Sequence, residues 1–193
     1  MARHKEFDRD EALQKAMEVF WSRGYEAASI QDLVEHMGIN RQSLYDTFGD
    51  KHALYLAALD HYREVEGGKM FELLARQGSV KRALRQLFGG VVECAVGGGQ
   101  RRGCLMGNAM SEMAGRCPKT ADKACGQIAA VEEALYRALL RGRKAGEIKN
   151  ELNLRAVARY LYSSLQGLQV MAKATRDRKL LADIVKVTLS VLD

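Results

Sequence analysis

The sequence predicts an all-α protein, and three observations carry that expectation. Only one of the 193 residues is proline, so little interrupts a helix. Leucine and alanine recur at three- and four-residue spacing, the period of one helix face. With 47% hydrophobic and 28% charged residues, the chain is long enough for a well-packed core and too apolar to be disordered.

From Asp10, the residues Leu13, Ala16, Met17, Phe20 and Trp21 share one face of a first helix that ends near Gly24. Ser29 then starts a second, short helix carrying Ile30, Leu33, Val34 and Met37, with Asp32 three residues after the cap and Gly38 as its stop. Asn40 caps a third helix from Arg41 to about Phe48, in which Leu44 and Phe48 point inward together. Asp50 caps a fourth, with Leu54, Ala58, Leu59 and Tyr62 inward, running to a break at Glu66-Gly67-Gly68. Beyond it the spacing predicts helices over about 80–96, 104–114, 118–144, 154–174 and 177–192, with Pro118 in a first helical turn and a glycine-rich loop before Cys104.

Charge is unevenly placed. Residues 1–66 hold 8 Lys/Arg against 13 Asp/Glu, a net of −5, while residues 67–193 hold 22 against 11, a net of +11. The overall +6 therefore does not by itself mark the front of the chain as a nucleic-acid binder. No apolar run reaches the length of a membrane span and the first residues are charged, so a soluble, cytoplasmic protein is expected. Cys94, Cys104, Cys117 and Cys125 are too sparse for a disulfide scaffold, and separations of 10, 13 and 8 residues include no Cys-x-x-Cys pair, so neither a metal nor another cofactor is expected.

Two short helices joined by Gly38-Ile39, the second with an exposed polar start, form a helix-turn-helix arrangement, in which the second helix can lie in a major groove. Such a turn also occurs in bundles that never touch DNA. The residues narrow the choice: Ser29-Ile30-Gln31-Asp32-Leu33 followed by Met37-Gly38-Ile39-Asn40-Arg41-Gln42-Ser43-Leu44-Tyr45-Asp46-Thr47-Phe48-Gly49-Asp50-Lys51 closely resembles the DNA-binding signature of TetR/AcrR-family transcriptional regulators. The resemblance spans about forty residues when Phe20 to Gly24 is included. It implies a helix-turn-helix DNA-binding domain over 1–50, a connecting helix over 51–66 and an effector-binding and dimerisation domain over 67–193, in a non-enzymatic, homodimeric repressor released from a pseudo-palindromic operator by a small molecule.

Carried over residue by residue, the resemblance places Ser29 at a phosphate and Arg41, Gln42 and Ser43 at the groove. Arg41 can pair bidentately with guanine and Gln42 with adenine, Tyr45 and Thr47 offer hydroxyls to phosphates, and Lys51 adds charge. Tyr45 could instead simply pack its ring. Asp46 and Asp50 oppose Arg41 and Lys51, so affinity would lean on dimeric binding, on helix N-termini and on an Arg3-His4-Lys5 arm in a minor groove.

In the carboxy-terminal part, Leu154, Val157, Ala158, Leu161, Leu165, Leu168 and Ala172 form one stripe, with Ser163, Ser164 and Gly167 beside it. In the last helix, Leu180, Ile184, Val187 and Val191 share one face and Leu181, Val185, Thr188 and Leu192 its neighbour. A helix apolar on two faces must be covered on both, so the last two helices are expected to pair with those of a second subunit. The middle helices are expected to hold the effector, with Asn108, Ser111, Glu112, Tyr136, Tyr160 and Tyr162 as candidate contacts, although the neighbouring methionines could be core filler and Glu112 a solvated side chain. Cys104, at a helix start after Arg101 and Arg102, is either a thiol that senses oxidants or electrophiles or an inert packed one. Two alternatives remain: a thiol-dependent enzyme using Cys104, which no catalytic motif accompanies, and a helical protein-interaction module whose helix-turn-helix is vestigial.

Overall fold

A computed structural model of the chain describes residues 7–98 and 101–193. Among them there is no strand, and the helices are α1 (Arg9–Arg23), α2 (Ile30–Met37), α3 (Arg41–Phe48), α4 (Lys51–Tyr62), α5 (Gly68–Ala75), α6 (Val80–Val96), α7 (Leu105–Glu112), α8 (Pro118–Lys144), α9 (Leu154–Ala174) and α10 (Arg178–Leu189). No helix among the described residues is long and apolar enough to cross a membrane. The chain divides into two compact units: the described residues up to Val65 together with Leu105–Ala124, and Glu66–Cys104 together with Cys125–Asp193.

In the first unit α1 packs against α4 and α2, α3 rests on α2 and α4, and α7 touches α1 and α4. Phe20, Met17, Leu33, Leu44, Leu54, Leu59 and Met106 are fully buried there. Tyr55 meets Phe20 edge-on, with ring centroids 5.1 Å apart, and its burial holds the phenol well above the usual tyrosine range.

The ends of these helices have local causes. Asp8 accepts from the amides of Asp10 and Glu11 at 2.8 and 3.1 Å and so starts α1. Ser29 and Asp32 form a reciprocal capping box at α2, each accepting the other's backbone amide, at 3.0 and 2.9 Å. Arg23 approaches Asp32 to 2.6 Å. The Ser29 hydrogen bonds, helped by Arg23, hold the Asp32 carboxyl below its ordinary value. Gly38, at φ +70° and ψ +30°, closes α2 in the left-handed conformation, and Asn40 then accepts from Ser43 at 2.8 Å to start α3.

The second unit packs α6, α9 and α10 together, with α5 against α6. Leu84, Phe88, Val131, Leu135, Leu139, Leu161, Leu165 and Leu181 are buried in it. Polar clasps join distant segments: Ser79 donates to Glu147 at 2.8 Å over the start of α6, and Arg178 grips Glu93 with both terminal nitrogens.

One expectation fails at Glu66-Gly67-Gly68. The chain does not break there but passes through a π-helical turn, Arg63–Gly67, directly into α5. Two glycines cost a helix about 1 kcal/mol each, a local tendency that tertiary contacts override. Gly67 takes helical angles and is buried, and Arg141 donates to the Leu74 carbonyl near the end of α5. Smaller differences are that α7 ends at Glu112, short of 114, and that the last helix finishes in a 3-10 turn, Ser190–Leu192.

Candidate nucleic-acid interface

α3 is held by its apolar face and presents its polar one. Leu44 and Phe48 are buried, whereas Arg41, Gln42, Tyr45 and Asp46 are exposed and Ser43 and Thr47 half-buried. Tyr45 is 41% exposed, so its ring is not a core residue of this unit. Arg41 has no ion-pair or hydrogen-bond partner among the described residues. Gln42 donates to Asp46 at 2.7 Å one turn later, which holds the amide along the exposed face.

Ser29 is less free than Arg41. Its hydroxyl donates to Asp32 at 2.6 Å while accepting that residue's amide. The N–H groups of Ile30 and Gln31 have no carbonyl in the preceding turn to bind, and they give this helix start its capacity for an anion. Lys51 is half-buried, with Nζ 3.4 Å from the Glu26 carbonyl and 4.5 Å from the centre of the Tyr25 ring.

The acidic balance of this unit is largely absorbed inside it. Asp8, Asp32 and Asp50 are helix caps, Glu11 pairs with Lys15, and Asp60 receives Lys123 at 2.6 Å. Carboxylates at helix N-termini are partly offset by the helix dipole, so the net charge understates how well this surface could meet phosphates. The Arg3-His4-Lys5 arm lies outside the described residues.

The other singled-out residues fall in both units. In the first, Asn108 is half-buried on α7, Ser111 is exposed and donates to the Gly107 carbonyl at 3.2 Å, and Glu112 reaches across to the turn after α1. Its carboxylate accepts the Tyr25 and Glu26 amides at 3.0 and 2.8 Å. Gly24 makes room for it: at φ +82°, a Cβ there would stand 2.9 Å from Glu112 Oε2. Sequence reasoning missed this clasp, because a carboxylate that caps a turn 86 residues away leaves no local pattern.

In the second unit, Cys104 immediately precedes α7 and accepts a long hydrogen bond, 3.8 Å, from Gln166 of α9. Tyr162 is buried near the same thiol, and burial pushes its phenol well above the usual range. The Tyr162 hydroxyl and Gln169 Oε1 are buried without a hydrogen-bond partner of ordinary geometry. Tyr136 lies under the Arg155 guanidinium, 4.0 Å from its ring centre, and Arg155 also pairs with Glu132 and Glu133. Tyr160 is exposed on α9.

Comparison with known proteins agrees with this geometry. The family model described as "Bacterial regulatory proteins, tetR family" matches residues 12–58, and that for "Tetracyclin repressor-like, C-terminal domain" matches residues 71–188. The chain is 41% identical to the uncharacterized HTH-type transcriptional regulator YezE of Bacillus subtilis, over all of both chains. It is 32% identical to the HTH-type transcriptional repressor ComR of Escherichia coli, over 97% of this chain and 90% of that one. Among solved structures, a cysteine mutant of the TetR family transcriptional regulator CifR, complexed with 26-bp double-strand operator DNA, superposes with a TM-score of 0.85 at 31% identity, over 99% of this chain and all of that one.

Proposed function

Because this chain belongs to the TetR family of DNA-binding transcriptional regulators, we propose that it works as a homodimeric repressor that a small-molecule effector releases from a pseudo-palindromic operator. ComR is named a repressor and the CifR mutant is complexed with operator DNA, and both support that reading. Arg41 and Gln42 read base edges: Arg41 pairs with guanine, and Gln42 exchanges its bond to Asp46 for adenine. Ser43, Tyr45 and Thr47 set the helix in the groove. The start of α2 at Ser29 meets a phosphate through the Ile30 and Gln31 amides, and Lys51 contributes charge while it props the Tyr25–Glu26 turn.

The observation that carries dimerisation is an exposed apolar surface on α9 and α10. Val170 is 62% exposed and Val187 66%, with Met171 and Leu180 also open, while Leu181, Thr188 and Leu192 on the neighbouring face of the last helix segment are buried. Tyr160, Ser163, Gly167 and Val170 follow helical spacing along one side of α9, with a glycine and a serine small enough for close approach. A second copy of the same two helices covers this face and spaces two α3 helices for two half-sites. Sedimentation velocity at micromolar concentration tests it. A dimer that Val187→Glu converts to monomer is expected, and a wild-type monomer would overturn the reading.

The effector site is assigned to the polar side of α9 near Cys104, because Tyr162 and Gln169 each bury a polar atom that wants a partner. The effector there presents a hydrogen-bond acceptor to Tyr162 and a donor to Gln169. Tyr136, in the same unit, remains a candidate contact. Asn108 belongs to the other unit, and Ser111, Glu112 and Tyr160 fit that role less well, being exposed or engaged elsewhere. Binding releases DNA only to the extent that the ligand favours the dimer state whose recognition helices no longer fit the operator.

A further inference from the structure

Cys117, half-buried in the first unit, is the residue before Pro118, and its carbonyl accepts the opening hydrogen bond of α8 from the Ala121 amide at 3.0 Å. It is therefore the N-cap of that helix. Pro118 has no N–H, so the amides nearest the cap side chain are those of Lys119 and Thr120. The Thr120 hydroxyl, in the first turn of the same helix, is fully buried with no hydrogen-bond partner among the described residues. From α4, His52 places Nε2 3.2 Å from Cys117 Sγ, with the Tyr25 ring edge-on to the imidazole. The neighbouring Thr120 hydroxyl and amide, and after them the Lys119 amide, favour the thiolate and hold this thiol below its ordinary range.

We propose that Cys117 and His52 are a nucleophile and base pair that captures α,β-unsaturated carbonyl compounds. The thiol proton passes to Nε2 of His52, in the tautomer that carries its other hydrogen on Nδ1. The thiolate adds to the β-carbon, forming a C–S bond, and the C=C electron pair moves onto the carbonyl as an enolate. The imidazolium returns the proton to the α-carbon. No oxidant is needed, and the buried Thr120 hydroxyl supplies the donor that a thiolate at this place wants. The adduct adds volume beside His52 and Tyr25, whose ring also carries Lys51 and whose amide is held by Glu112. It thereby disturbs the turn that leads into α2, an input to DNA release that rests on the effector reading above.

The chain carries its own controls, since Cys94 and Cys125 are exposed. The intact protein is treated with limiting acrolein at neutral pH and the cysteine peptides are followed by mass spectrometry. Cys117 is expected to react at least tenfold faster than Cys94 and Cys125, and His52→Gln is expected to bring it down to their rate while leaving theirs unchanged. Equal rates in the wild type, or no effect of His52→Gln, would overturn the pair. Operator binding is then measured with Cys94, Cys104 and Cys125 replaced by serine. A tenfold or greater loss of affinity on acrolein treatment, absent when Cys117→Ser is added, supports the regulatory half, and serine keeps the helix cap intact. Fast labelling with unchanged operator affinity would overturn that half alone.

Discussion

Replacing Glu112 by alanine removes a clasp between α7 and the turn after α1. The carboxylate accepts two backbone amides, from Tyr25 at 3.0 Å and Glu26 at 2.8 Å. A hydrogen bond to a charged group contributes roughly 1.5–3 kcal/mol when buried. The site is only half-buried, and water can reach the Glu26 amide, so the pair together is expected to contribute about 2–3 kcal/mol. For a chain of this size that corresponds to a Tm lower by roughly 4–12 °C. Glu112→Gln keeps one acceptor and should lose about half as much. Gly24→Ala should reproduce the loss by another route, because its Cβ would stand 2.9 Å from Oε2 and the φ of +82° strains any side chain. The assay is urea unfolding of the two single variants and the double, with hydrogen exchange at the Tyr25 and Glu26 amides. Since both changes break the same contact, the double variant should lose clearly less than the sum. A Glu112→Ala variant within about 0.5 kcal/mol of wild type, or strict additivity, would refute the reasoning.

Gly38→Ala has open space around the new methyl and meets only the left-handed backbone at φ +70°, so urea unfolding should register a loss of about 1–2 kcal/mol, and no loss would contradict the turn geometry. In operator titrations, Gln42→Ala should relax base preference at one position of each half-site by about 1–3 kcal/mol, whereas Lys51→Ala should weaken all sequences alike; equal loss of selectivity in both would reverse their roles. Asp32 has a folded-state pKa below its unfolded value, so its cap stabilises fully above the unfolded value and weakens only as pH falls through the depressed one. Carboxyl NMR should find it titrating below the ordinary aspartate value, and Ser29→Ala should move it back up.

The fold was legible wherever a helix end has a local cause. Ser29 with Asp32, Gly38 and Asn40 are separated by a few residues and act on one another, so α2, its turn and α3 could be read from their order, and Pro118 marked the start of α8 in the same way. The Gly67-Gly68 pair misled because glycine's cost in a helix is a local tendency, while what keeps that segment helical includes Arg141 of α8, 67 residues from the carbonyl it holds. The exposed face of α3 was legible from polarity alone. The engagement of Glu112 and the approach of His52 to Cys117 were not, since each joins segments far apart in the chain whose own neighbours give no hint of the partner. Cys104 was legible as a residue at a helix start, by the same local logic that makes Cys117 an N-cap. The proline after Cys117 was the signal that could have found it.

The most direct test of the central claim is selection of the purified full chain against a random duplex pool at physiological salt, with sequencing of the bound fraction before and after Arg41→Ala. An enriched inverted repeat with half-sites about one helical turn apart or a multiple of it, lost in the variant, is the expected result. Enrichment of a single unrepeated site would contradict the dimer, and no enrichment, or a motif unchanged by Arg41→Ala, would contradict sequence reading by α3.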